Sequence, residues 1–205
     1  MQQSMGGSEN YKVILFDLGG VLLKLRDPIS TFGLQIDEGA FLRTWIMSPS
    51  VRAFESGQID GNEFAQRMIT EMNLPMGWQE LLNRFNDWPD GFYPKAIELV
   101  GCIPSRYKCA ILSNTNALHW QQADVPGNFG SRFDRCFLSY ESGLLKPDQA
   151  SYLQVIESYA CRPEEILFFD DNPVNVEAAE TEGITSVRVQ GPDELEASLI
   201  AASII

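Results

Sequence analysis

Short apolar runs recur along the chain, and each stops abruptly at a polar residue. Tyr11–Phe16 (YKVILF), Lys108–Leu112 (KCAIL), Arg135–Leu138 (RCFL), Glu165–Phe169 (EILFF) and Thr185–Val189 (TSVRV) have the length of strands, and their centres show little alternation. Strands covered on both faces read this way, because neither face presents side chains to water. Amphipathic stretches lie between the later runs, at Thr115–Gln122, Pro147–Tyr159, Pro173–Glu182 and Pro192–Ala202. Pro147, Pro173 and Pro192 stand where a first helical turn would begin, a position at which the missing N–H is not needed. Strands alternating with helices predict an α/β fold, a Rossmann-like parallel sheet with right-handed crossovers and helices on both faces.

The interval after the first run breaks this rhythm. Between Asp27 and Trp88 the pattern offers helices only: Asp37–Ile46 with Phe41, Trp45 and Ile46, Asp60–Met72 with Phe64, Met68 and Ile69 on one face, and Trp78–Phe85. That is too much helix for one crossover. The pattern predicts an α-helical cap over residues 27–88, inserted into an α/β core made of residues 1–26 and 89–205. The chain would return to the core through Asp87–Gly91 (DWPDG).

Composition narrows the class of partner. The 205 residues are 44% hydrophobic and 21% charged, enough for one core domain and an insert. Fifteen basic residues against 28 acidic ones leave a net charge of −13. Such a surface repels nucleic-acid backbones and anionic membranes, so any anionic ligand has to be met by local cations. The polar stretch Met1–Asn10 has no apolar segment and predicts no signal peptide. The four cysteines show no metal-binding spacing and read as reduced thiols of a cytoplasmic protein. A single histidine, His119, rules out a histidine cluster for metal and reads as a helix residue rather than a catalytic one. Nothing in the pattern sets an oligomeric state.

The candidate chemistry sits where the apolar runs end. Val13–Phe16 runs into Asp17, Ala110–Leu112 into Ser113, and Ile166–Phe169 into Asp170 and Asp171. In an open α/β sheet these carboxyl ends converge on one crevice. One such residue is commonly a helix cap; three ends together, with two adjacent carboxylates at one of them, point to a site. Asp17 has the chemistry of a nucleophile toward phosphorus, provided a cation offsets the charge repulsion. Asp171, with Asp170 beside it, offers hard oxygens suited to Mg2+. The Ser113 hydroxyl and the amides after it can hold phosphoryl oxygens at a helix start. Asn175 falls on the face of Asp171 if Pro173 opens a helix; it then either bonds a ligand carboxylate from behind or is an ordinary exposed asparagine.

Asp17-Leu18-Gly19-Gly20-Val21, Ser113-Asn114, Lys146-Pro147 and Asp170-Asp171-Asn172 resemble, in order and spacing, the four motifs of the haloacid-dehalogenase (HAD) superfamily of phosphotransfer enzymes. The strings LSNTNALH (Leu112–His119) and FFDDNPVN (Phe168–Asn175) are similar to the bacterial branch that includes the α-D-glucose-1-phosphate phosphatase. The resemblance implies a Mg2+-dependent phosphatase that hydrolyses a small phosphorylated metabolite, such as a sugar 1-phosphate, through an aspartyl-phosphate. It implies Asp17 as nucleophile, and Asp17, the Gly19 carbonyl and Asp171 as metal ligands with Asp170 behind them. Ser113, Asn114 and Lys146 would bind the phosphoryl group, Lys146 also acting on the nucleophile. One position departs from the superfamily pattern: Gly19 stands where its phosphatases usually carry a carboxylate for proton transfer, typically worth about 10²–10⁴-fold in rate. Two other readings fit a glycine there, a non-catalytic binding or regulatory relative and a metal-independent dehalogenase-like hydrolase. The second gives Asp170 and Asp171 no task.

Overall fold

The computed structural model describes residues 11–34, 37–124 and 129–205. Met1–Asn10 lies outside them. The described chain forms strands β1 (Val13–Phe16), β2 (Leu23–Leu25), β3 (Pro89–Phe92), β4 (Lys108–Ser113), β5 (Arg135–Leu138), β6 (Ile166–Asp170) and β7 (Thr185–Arg188). Five of them make a parallel sheet in the order β5-β4-β1-β6-β7. The apolar runs explain the layering. Ile14, Phe16, Leu167 and Phe169 enter the core on one face, and Val13, Leu15, Ile166 and Phe168 enter the core on the other. After β1 the chain builds outward through β4 and β5, then returns to add β6 and β7 on the other side. The carboxyl ends of β4, β1 and β6 therefore lie side by side at the reversal, where such sheets form a crevice.

Five helices fill the interval between β2 and β3: α1 (Pro28–Phe32), α2 (Glu38–Met47), α3 (Pro49–Glu55), α4 (Gly61–Glu71) and α5 (Trp78–Asn86). Their starts are written in the sequence. Asp27, Asp37, Ser48 and Asp60 each accept a hydrogen bond from an amide of the first turn, and Pro28 and Pro49 open two of the helices. The helices close on an aromatic cluster in which Phe54 stacks on Phe64 at 4.5 Å and Trp45 meets Trp88 edge-on at 5.0 Å.

The remaining helices are α6 (Pro94–Cys102), α7 (Ala117–Asp124), α8 (Ser139–Ser142), α9 (Gln149–Tyr159), α10 (Pro173–Thr181) and α11 (Gly191–Ala201). Among the described residues no helix is long and apolar enough to cross a membrane.

Several expectations need correction. Pro147 does not open a helix: the Lys146–Pro147 peptide is cis, the Asp148 amide closes a turn onto the Leu145 carbonyl at 2.8 Å, and α9 starts at Gln149. Glu165 ends a short 3-10 turn rather than starting β6, because its carboxylate bonds the Arg162 amide at 2.8 Å. The antiparallel ribbon of β2 and β3, with Leu23 opposite Phe92 and Leu25 opposite Pro89, is not predicted by the pattern: β2 is three residues long and β3 reads Pro-Asp-Gly-Phe. Helices α1, α3, α6 and α8 were likewise not read from the pattern; α1, α3 and α8 are seven residues or shorter.

Candidate active site

Asp17 follows the last residue of β1, and its amide donates to the Phe169 carbonyl of β6 at 2.8 Å. Ser113 and Asp170 are themselves the last residues of β4 and β6. Three strand ends thus bring Asp17, Ser113, Asp170 and Asp171 to one floor. Above it lies a cavity of about 590 Å3, walled on the far side by Trp45, Ile46, Arg52, Glu55 and Phe85 of the helical unit. That volume is within the usual range for small-molecule sites.

Lys146 is the centre of this floor. Its ammonium, buried with 2% exposure, donates to Asp17 Oδ1 at 2.7 Å and to Asp170 Oδ2 at 2.6 Å. Burial alone would lower the lysine, but the two carboxylates outweigh it and hold its pKa above the ordinary value. Asn114 fixes the lysine's backbone from both sides: its Nδ2 donates to the Lys146 carbonyl and its Oδ1 accepts from the Lys146 amide, each at 2.8 Å. The side chain of Asn114 is spent on this clamp, so its contribution to an anion site is the placement of Lys146. The Thr115 amide, one of those expected to face a phosphoryl group, donates instead to the Ser139 hydroxyl at 2.9 Å. Ser113 is buried on the floor and lines the cavity.

Asp170 is held from behind. Besides Lys146 it accepts from the Asn172 amide at 2.8 Å and from Asn175 Nδ2, 3.1 Å from each carboxylate oxygen. Asn175 is therefore buried and bonded to Asp170, not exposed and not on Asp171. Asp171 is left with fewer constraints. Burial raises its pKa to about 8, with Asp17 and Asp170 adding to the rise. Asp17 is pushed up to about 6 by burial and by Asp170, against the pull of Lys146.

Oxygens of Asp17, Asp170 and Asp171 lie within 4.8 Å of one another. The Lys146 ammonium pairs with Asp17 and Asp170 but not with Asp171, so three acids with hard oxygen donors share one paired cation. A divalent cation taking oxygen ligands fits this donor set. None of the turn and loop hydrogen bonds among the described residues is accepted by the Gly19 carbonyl, which leaves it open for the same task. Close approach also explains Gly20. Its φ is +74°, and a Cβ there would stand 2.3 Å from Asp171 Oδ2. Gly19 has no positive φ, but a Cβ on it would meet Leu25 Cδ1 at 3.1 Å.

His119 binds the helical unit to the sheet domain. Its ring stacks on Phe85 with centroids 4.2 Å apart, Nε2 lies 2.8 Å from the Phe85 carbonyl, and Asn116 Nδ2 lies 3.3 Å from Nδ1. Burial lowers its pKa to about 4, so the ring is neutral near pH 7 and committed to these partners. Glu55 and Arg52, the charged residues of α3 that line the cavity, belong to none of the sequence motifs. Helix α3 is seven residues long, and nothing local to it sets which of its faces meets the sheet.

Residues 11–183 match the family described as haloacid dehalogenase-like hydrolase. A sesquiterpene phosphatase of Aspergillus oryzae is 26% identical over 185 residues, covering 87% of this chain and 90% of that protein. Acyl-CoA dehydrogenase family member 10 of Mus musculus is 24% identical over 213 residues; the match covers 94% of this chain but only 20% of that protein. Among solved structures, a HAD family enzyme from Bacteroides thetaiotaomicron in complex with magnesium and inorganic phosphate is 25% identical, with a TM-score of 0.68 over 88% of this chain and 94% of its own.

Proposed function

The chain belongs to the haloacid dehalogenase-like hydrolase family, and from that premise we propose that it is a Mg2+-dependent phosphatase of small phosphate monoesters that works through an aspartyl-phosphate on Asp17. The observation that carries the reading is the buried Lys146 bridging Asp17 and Asp170 beside Asp171, at the bottom of a cavity open to a ligand. A relative matched over 87% of this chain and 90% of its own length is a phosphatase, and a structural neighbour is in complex with magnesium and inorganic phosphate.

Asp17, Asp171 and the Gly19 carbonyl would hold the ion, with Asp170 fixed behind them by Lys146 and Asn175. When bound, Mg2+ supplies the positive charge that lets a dianionic phosphate approach these carboxylates. Lys146 orients Asp17 through Oδ1 and presents its ammonium to the phosphoryl oxygens as negative charge builds. Ser113 donates its hydroxyl to the same group. The Asp17 carboxylate attacks phosphorus, the ester oxygen departs with its electron pair, and water then releases phosphate from the aspartyl-phosphate.

Within this class a sugar 1-phosphate is the first substrate to try, because an anomeric oxygen departs more readily than an ordinary alkoxide and Gly19 offers it no acid. The apolar side of the cavity, with Leu23, Leu25, Trp45, Ile46 and Trp88, favours a second substrate, the monophosphate of an apolar alcohol, in keeping with the fungal sesquiterpene phosphatase. A dehalogenase-like attack on carbon leaves the half-buried Asp171 without work.

The test is phosphate release from p-nitrophenyl phosphate with Mg2+ and with EDTA, followed by a panel of sugar and prenyl monophosphates. Mg2+-dependent release that Asp17→Asn abolishes is the expected result. Halide release from a haloacid in EDTA would establish the dehalogenase reading, and turnover in neither assay a binding protein.

A further inference from the structure

Glu55 is the last residue of α3, and its side chain lines the same cavity as Asp17 and Lys146. Contacts on either side of it fix α3 over the sheet domain. One turn earlier Arg52 pairs with Asp148, just after Lys146-Pro147. Two residues later Gly57 has φ +73° and lies so near the sheet domain that a Cβ on it would stand 2.5 Å from the Tyr140 carbonyl.

Neighbouring cations are committed elsewhere, Arg52 to Asp148 and Lys146 to Asp17 and Asp170. The Trp45 indole, a donor only, supports the Glu55 carboxylate. Burial pushes the Glu55 carboxyl up to about 7, with the Asp17 charge adding to the rise and Trp45, Lys146 and Arg52 opposing it. Near neutral pH such a group both gives and takes a proton. The other candidates on the cavity wall are engaged: His119 is neutral and bonded to Phe85 and Asn116, and Lys146 lies between two carboxylates. Position 19 has no side chain, and the space beside it holds Leu25.

Resting on the phosphatase reading above, we infer that Glu55 is a catalytic residue, the acid and base that serves the reacting oxygens from the helical unit. In the first step the Asp17 carboxylate forms a bond to phosphorus, the bond from phosphorus to the ester oxygen breaks, and Glu55 gives its proton to that oxygen. The alcohol leaves, and Glu55 is a carboxylate. In the second step Glu55 takes a proton from water as the water oxygen bonds to phosphorus and the Asp17–phosphorus bond breaks. Phosphate leaves, and both carboxyl groups return to their starting states. The sugar 1-phosphate preference argued from Gly19 is then narrower than that residue alone implies.

The experiment compares wild type with Glu55→Gln on two esters in Mg2+, p-nitrophenyl phosphate with a good leaving group and benzyl phosphate with a poor one. In kcat/KM, which reads the first step, Glu55→Gln should lose about 10²-fold or more on benzyl phosphate and less than about tenfold on p-nitrophenyl phosphate. Its turnover of p-nitrophenyl phosphate should begin with a burst of one p-nitrophenol per active site, because the second step has lost its base. The ratio of the two kcat/KM values does not change with the fraction of variant that is folded. An equal loss on both esters, or an unchanged kcat/KM for benzyl phosphate, overturns the inference and leaves the phosphatase reading standing. A wild-type protein inactive on both esters overturns the phosphatase reading itself, and this inference with it.

Discussion

At the scale of single residues, two positions set terms that neighbouring side chains must obey. Gly20 is the narrow point beside the proposed metal ligands, since any Cβ collides with the Asp171 carboxylate at a φ that already favours glycine. Gly20→Ala should therefore weaken Mg2+ binding strongly while leaving Ser113 and Lys146 in place. Calorimetric titration with Mg2+ reads this directly, and wild-type affinity in the variant would contradict it. His119 carries the pH dependence of the contact between helical unit and sheet. Its pKa falls from 6.5 to about 4 in the fold, so its contribution to stability is complete above pH 6.5 and is lost as pH falls toward 4. Thermal melts from pH 7 to 4.5 should show wild type losing stability faster than His119→Gln. Parallel curves would show that the ring's protonation is not coupled to folding.

At the scale of elements, the helical unit depends on its aromatic interior. Phe64 is 1% exposed and stacked on Phe54, so Phe64→Ala should cost about 3–5 kcal/mol in that unit. A melt with an early transition, accompanied by loss of tryptophan fluorescence shift from Trp45 and Trp88, is the expected signature. The same elements show what a sequence can and cannot disclose. The sheet was legible because buried parallel strands leave uninterrupted apolar runs: Arg135–Leu138 matches β5 residue for residue, and the other runs lie within two residues of their strands. The three strand ends were legible for the same reason, since polar residues follow those runs at once. The β2–β3 ribbon was not, because β3 reads Pro-Asp-Gly-Phe and its pairing is set by what it closes rather than by its own pattern. Asn114 shows the limit at the site. Its place beside Ser113 points to the anion, but its amide geometry matches the backbone of Lys146, 32 residues away, and only the fold brings that partner near. Glu55 was hidden likewise, since the face a short helix turns to a cavity depends on residues far along the chain.

For the molecule as a whole, the net charge of −13 surrounds the site proposed above for a phosphate ester. Long-range repulsion opposes the approach of a dianionic ester, and salt shortens its reach from about 30 Å at 0.01 M to about 8 Å at 0.15 M. Raising the ionic strength at fixed Mg2+ should thus increase kcat/KM for a phosphate monoester. A decrease would mean that the local cations outweigh the global field even at a distance.

The ribbon that carries the helical unit has its own consequence. Residues 28–86 depart from Leu25 and return at Pro89, and those two residues are cross-strand partners. The whole unit is thus an overgrown hairpin loop, with its entrance and exit at adjacent points. A genome can exchange or enlarge such a cassette without disturbing the order of a single strand beneath it. So can an engineer, who could splice in the corresponding segment of a relative at Leu25 and Pro89 and keep the floor of Asp17, Ser113, Lys146 and Asp170 intact. The join that makes the segment transplantable lets the substrate range of the enzyme change independently of its chemistry.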